Sequence, residues 1–183
     1  MQFLNTIQAM QKLGTNVVTE ARSNLKKEKK QTRENTLYND MNYVVTADNT
    51  SVDLEWRFGR AADYWDFVNE GVKGSGGFKG SGKMRGQGSP YSFKKKNIAK
   101  GVVLKWIANK PLKLRNAKGQ FKEKTQANLK TAAFLIGRAI AQRGLTRTLF
   151  FDNAYNKEVA KAENKITEAF AEDLELQIET LIK

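Results

Sequence analysis

Apolar positions recur at helical spacing over most of the chain and alternate in one short region. Phe3, Ile7, Met10, Gly14, Val17, Val18, Ala21 and Leu25 return every three or four residues, which predicts a helix over 3–25. Its stripe is narrow and suits packing on one neighbour. The charged run KKEKKQTR at 26–33 follows, so residues 1–37 read as an N-terminal helical arm. Between 38 and 58 the pattern changes. Tyr43, Val44 and Val45 are β-formers, and Val52, Leu54, Trp56 and Phe58 alternate with Asp53, Glu55 and Arg57. Ala47-Asp48-Asn49-Thr50 between them is a turn sequence, which predicts a β-hairpin with a half-buried second strand.

Residues 60–70 predict a short helix, with Ala61, Tyr64, Trp65 and Val68 on one face and Gly71 as its C-terminal stop. From Gly71 to Ser89 the chain holds 8 of its 14 glycines, which predicts a loop that stays mobile unless something binds it. A helix is expected over 97–109, ended by Pro111. A basic connector follows to Lys124, with a turn at Ala117-Lys118-Gly119-Gln120. Residues 125–143 predict a strong helix, capped by Thr125 and stopped by Gly144. Phe134 and Leu135 widen its apolar face and predict a central position. LTRTLFF at 145–151 reads as extended. Asp152 or Asn153 would then cap a last helix to about 182, with Val159, Ala162, Ile166, Phe170, Leu174, Ile178 and Leu181 on its stripe. The expected fold is α+β: a small antiparallel β-sheet, the hairpin, packed with several α-helices, of which the N- and C-terminal ones are long. Residues 38–183 would form a single core domain carrying a mobile basic Gly-rich loop at 71–96.

Charge adds a strong asymmetry. Across 183 residues, 32 Lys and Arg face 19 Asp and Glu, a net of +13. From Gly71 to Lys122 there is no acidic residue and there are 14 basic ones, so this segment carries +14 and the remainder −1. From Asp152 to the end, 8 acidic residues face 4 lysines. Such a chain is drawn to polyanions, membranes or acidic partners. Lys73, Lys79, Lys83, Arg85, Lys94, Lys95 and Lys96 are the candidate contacts. Glycines let a backbone approach closely, lysines meet phosphates without reading bases, and Phe78, Tyr91 and Phe93 offer stacking faces. The same loop could instead order against an acidic protein partner.

Composition removes most catalytic tools. With no cysteine there is no disulfide framework, thiolate zinc site or cysteine nucleophile. With no histidine, Ser-His-Asp chemistry and imidazole metal sites are excluded. Gly77 to Met84 matches G-x-x-x-x-G-K, but Met84 stands where a phosphate-binding loop needs Ser or Thr for magnesium. Asp63 with Asp66, and Glu172 with Glu175, read as solvated helix faces. Tyr64-Trp65-Phe67 and Phe150-Phe151 read as core. No catalytic residue, cofactor or metal site is expected. The N-terminus lacks the charged and apolar regions of a signal peptide. The longest apolar stretch, 132–141, is interrupted by Gly137 and Arg138 and falls far short of the roughly 20 residues of a membrane span. The expectation is a soluble protein made in a cytoplasm, with no membrane partner.

The run Asp63-Tyr64-Trp65-Asp66-Phe67-Val68-Asn69-Glu70-Gly71 resembles the Y-x-x-x-V-x-x-G element of tail-completion proteins of tailed double-stranded DNA phages. Leu104-Lys105-Trp106-Ile107 follows the Gly-rich loop. Then come Phe134 to Ile140, Arg143-Gly144, Thr146 to Phe151 and a long acidic C-terminal helix. This order is similar to the neck, or head–tail connector, proteins of crAss-like phages, over roughly residues 38–183. The short Gly-Lys-Pro loop of that family is an expanded GSGG…GSG insert here. The resemblance implies a non-catalytic virion protein of the neck or tail, ring-forming in six or twelve copies, beside portal, neck or tail proteins and in non-specific contact with genomic DNA. The alternative is a sequence-independent nucleic-acid-binding protein acting through 71–122.

Overall fold

A computed structural model of the chain describes residues 3–27, 36–80, 82–108, 113–115 and 118–182. The elements run α1 (Leu4–Lys27), α2 (Thr36–Asp40), β1 (Asn42–Ala47), β2 (Val52–Arg57), a 3-10 turn (Gly59–Ala61), α3 (Trp65–Asn69), β3 (Val72–Lys73), α4 (Lys100–Ala108), α5 (Gln126–Arg143), β4 (Gly144–Leu145) and α6 (Phe150–Ile182). The fold is α+β, with long first and last helices and small two-stranded antiparallel sheets. It divides into two compact units: Met1–Asn69 with Thr148–Lys183, and Glu70–Arg147. The expected partition into an arm at 1–37 and one domain at 38–183 therefore gives way. α1 is no arm, because its Leu13, Val17, Val18, Ala21 and Leu25 share one core with Phe150, Phe151 and Ala154 of α6.

In the first unit α1 and α6 run antiparallel. Asn24 Nδ2 donates to the Phe150 carbonyl (3.1 Å) at one end, and Lys157 pairs with Glu20 (2.7 Å). At the other end the Asp173 carboxylate accepts from the Asn5 N–H (3.1 Å), the Thr6 N–H (2.8 Å) and the Thr6 hydroxyl (2.7 Å). This carboxylate takes donors that the first turn of a helix cannot satisfy internally, where the helix dipole also favours negative charge. Burial pushes the Asp173 carboxyl up, but those hydrogen bonds outweigh it and hold it below the ordinary aspartate range.

The hairpin forms as the alternation predicts. β1 pairs with β2 in register from Asn42↔Arg57 to Ala47↔Val52. Asp48 closes the turn, its carboxylate accepting the N–H groups of Thr50 (2.6 Å) and Ser51 (2.7 Å). Val52, Leu54 and Trp56 are half-buried while Asp53, Glu55 and Arg57 are exposed. The Trp56 face leads into an aromatic cluster centred on Phe151, whose ring centroid lies 5.4 Å from those of Trp56 and Phe58 and 5.6 Å from that of Trp65. Phe58 stacks on Trp65 at 4.1 Å. Phe150 and Phe151 are core as expected, but Tyr64 and Phe67 are exposed. The helix expected over 60–70 is broken into the 3-10 turn and α3. Ala61 of the 3-10 turn is buried in the core with Trp65 and Val68 against it, and the fully buried residue of α3 is the polar Asn69.

Asn69 also explains why α6 starts earlier than Asp152. Its side-chain Oδ1 accepts the Phe151 N–H (3.1 Å), and its carbonyl accepts the N–H groups of Thr148 and Leu149 (3.0 Å each). The cap of α6 is thus supplied from 82 residues away in sequence, and no local Asp or Asn is needed.

In the second unit α4 packs on α5 through Val103, Ile107 and Ala133, with Ile98, Leu104, Leu129, Ala132 and Ile136 around them. Thr125 caps α5 as its sequence predicts, accepting the Asn128 N–H (3.3 Å). Phe134 and Leu135 do not place α5 at a centre: both are exposed, and the buried face is Ala133, Gly137, Ala141 and Gln142. α4 begins at Lys100, three residues later than expected. Pro111, Ala117 and most of 26–33 lie outside the described residues.

Candidate functional site

The basic character follows the second unit. Residues 70–147 contain 19 Lys and Arg and two acidic residues, Glu70 and Glu123, for a net of +17. The first unit contains 13 basic and 17 acidic residues, for a net of −4. Glu70 pairs with Arg147 at 2.6 Å. Two carboxylates against 19 cations leave this unit a large excess of positive charge.

The Gly-rich segment, expected to be mobile, is laced to the end of α5. An α-helix leaves its last four carbonyls without internal partners. Here the Ile140 carbonyl takes the Gly144 N–H, that of Ala141 takes Ser75 (2.9 Å), that of Gln142 takes Gly76 (3.2 Å), and that of Arg143 takes Arg85 (2.7 Å). Close approach requires glycine: a Cβ on Gly74 would sit 2.2 Å from the Gln142 carbonyl oxygen. β3 pairs with β4 over Val72↔Leu145 and Lys73↔Gly144. On its other side Lys73 donates to the Tyr91 carbonyl (2.8 Å) and accepts from the Phe93 N–H (2.9 Å).

All seven predicted contact residues have exposed side chains. Three are gathered by the backbone around the end of α5: Lys73 opposite Gly144, Lys83 through its carbonyl to Arg143 Nε (2.9 Å), and Arg85 through its N–H to the Arg143 carbonyl. Lys94, Lys95 and Lys96 leave consecutively from Phe93, which is fastened to Lys73. Lys79 lies in the same loop between Phe78 and Gly80, and the Phe78 ring covers Gly80.

Sequence reasoning missed a second set of cations, which sit over aromatic rings. Lys100 Nζ lies 5.4 Å from the Phe134 ring centroid and Arg143 Cζ 5.5 Å from that of Phe78. Lys113 Nζ (5.5 Å) and Arg115 Cζ (4.2 Å) share Phe121, which is exposed. Arg115 bridges Phe121 across a turn and donates to the Gly119 carbonyl (2.7 Å). Only the proximity of Lys113 and Arg115 to Phe121 in sequence hints at this; the other pairs are long-range.

This arrangement can hold phosphate or carboxylate charge over a broad surface and offer ring faces beside it. Gly77–Met84 runs into coil, not into the helix that a phosphate-binding loop requires. Among the described residues no three carboxylates gather as a metal site, and no helix is long and apolar enough to cross a membrane. No protein-family model, curated protein or solved structure matches the chain.

Proposed function

We propose that the chain is a structural virion protein: a ring-forming component of a phage neck or tail connector, with no catalysis. Its work would be assembly, sealing the passage between capsid and tail while DNA crosses it. The observation that carries this reading is the coincidence of charge with architecture. One unit holds +17 and the other −4, so identical copies present complementary surfaces to each other and to neighbouring rings. The exposed apolar residues on α4, α5 and α6 add surfaces that the single chain leaves uncovered.

A second reading, sequence-independent nucleic-acid binding through the basic unit, is favoured by the cation–ring contacts on Phe78, Phe121 and Phe134. The test is the molar mass of the purified chain by light scattering, with and without short duplex DNA, at low and moderate salt. A discrete hexamer or dodecamer without DNA supports the connector. A monomer at every concentration whose DNA affinity falls steeply with salt overturns it in favour of the second reading.

A further inference from the structure

Phe170, Leu174, Ile178 and Ile182 return every four residues and share one face of α6. They continue the stripe of Val159, Ala162 and Ile166, which is half-buried in the first core. α1 reaches only to the level of Asp173, where Asn5 and Thr6 are held. Residues 174–182 run on past it, an extension of about 13 Å at 1.5 Å per residue. Leu174 is 38% exposed, Ile178 57% and Ile182 80%. Beside the stripe, Glu168, Glu172, Glu175 and Glu179 follow one another at spacings of three and four, forming an acidic ridge. No Lys or Arg occurs from Ile166 to Ile182.

The complement of this surface is an apolar stripe with a basic flank, and α4 carries one. Val102 (63% exposed) and Trp106 (48%) lie one turn apart on the face that α5 leaves uncovered, with Lys105 next to Trp106 in the unit of net +17. We infer that the 174–182 end of α6 docks on the Val102–Trp106 face of α4 in a second copy of this chain. The inference rests on the assembly reading above and names its interface. Docking of two α6 ends on each other would bring Glu175 and Glu179 against their own likes, which disfavours the symmetric alternative. A head-to-tail contact leaves one free half-site at each end of a pair, the condition for closing a ring.

Sedimentation velocity on the full-length chain tests this with Ile178→Lys and Trp106→Glu. Leu174→Lys and Val102→Glu serve as second variants, and circular dichroism checks that each folds. Each single variant should associate about tenfold or more weakly, since an unpaired charge is forced into an apolar contact. An equimolar mixture of Ile178→Lys and Trp106→Glu should restore a dimer with one of each, because each retains the half that the other lost. If Trp106→Glu self-associates like the natural chain while Ile178→Lys does not, α6 docks on α6 and the contact with α4 is wrong. If both variants assemble like the natural chain, the interface lies elsewhere; the inference falls while the assembly reading stands. If the natural chain is monomeric at all concentrations and salts, both fall together.

Discussion

Replacing Asp173 by alanine removes the acceptor for three donors at the start of α1. The Thr6 N–H and hydroxyl are buried, and the Asn5 N–H is partly so. Water can reach the Asn5 group, but the two Thr6 donors lose charge-assisted bonds of about 1.5–3 kcal/mol each. The buried carboxylate, itself 2% exposed, also disappears, which recovers part of its own desolvation cost. The expected loss is about 2–4 kcal/mol, at the upper end of or above the usual loss of a helix cap. Urea denaturation followed by far-UV circular dichroism reports it, because α1 and α6 supply most of the helix. With a slope of about 2 kcal/mol per molar urea, the midpoint should fall by about 1–2 M. Asp173→Asn keeps an acceptor and loses the charge, so it should cost about half as much. The pH dependence has a definite sign. The folded carboxyl is more acidic than the unfolded one, so protonation favours the unfolded chain. The stability gap between the natural chain and Asp173→Asn should be full above the unfolded value of ~3.9 and close as pH falls through the lower folded value. A midpoint unchanged by Asp173→Ala, or a gap that does not narrow in acid, would refute the assignment of Asp173 as the clasp of α1.

Asn69→Ala should destabilise the first unit by about 1–3 kcal/mol, read by urea denaturation, because Phe151 N–H loses its buried acceptor at the start of α6. Gly144→Ala should cost about 2–4 kcal/mol and expose the amides of Ser75, Gly76 and Arg85 to hydrogen exchange. Its φ is +92°, and a Cβ there would meet the Val72 and Arg85 carbonyl oxygens at 2.5 and 2.7 Å. Gly101→Ala, in α4 with nothing within 4 Å of the added carbon, should instead stabilise by about 0.5–1 kcal/mol in a thermal melt. Replacing Lys94, Lys95 and Lys96 by Glu should flatten the salt dependence of polyanion or partner binding by about one phosphate equivalent per lysine engaged, measured as the slope of affinity against salt.

Much of the architecture was legible because it is local. The period-two alternation of Val52, Leu54 and Trp56, the turn chemistry of Asp48, the Thr125 cap and the spacing along α1 and α6 each act within a few residues, so the chain order alone carries them. The excess of lysine and arginine was legible too, as was the lack of histidine and cysteine, since composition needs no geometry. The boundary of the basic unit was only partly visible, because Lys124 to Arg147 joins it through packing rather than through an unbroken charge run.

Tertiary structure decided what depends on residues distant in sequence. It made α1 half of the main core instead of an arm, because α6 returns to cover its stripe. It started α6 at Phe150 by bringing in Asn69, and it clasped the start of α1 with Asp173. The Gly-rich segment shows the division most plainly. Its composition signals only backbone freedom, which suits a mobile loop and a tight cap equally well. What selects the cap is the set of unsatisfied carbonyls at the end of α5, which lie more than 55 residues further along the chain and meet these amides only once the second unit has folded.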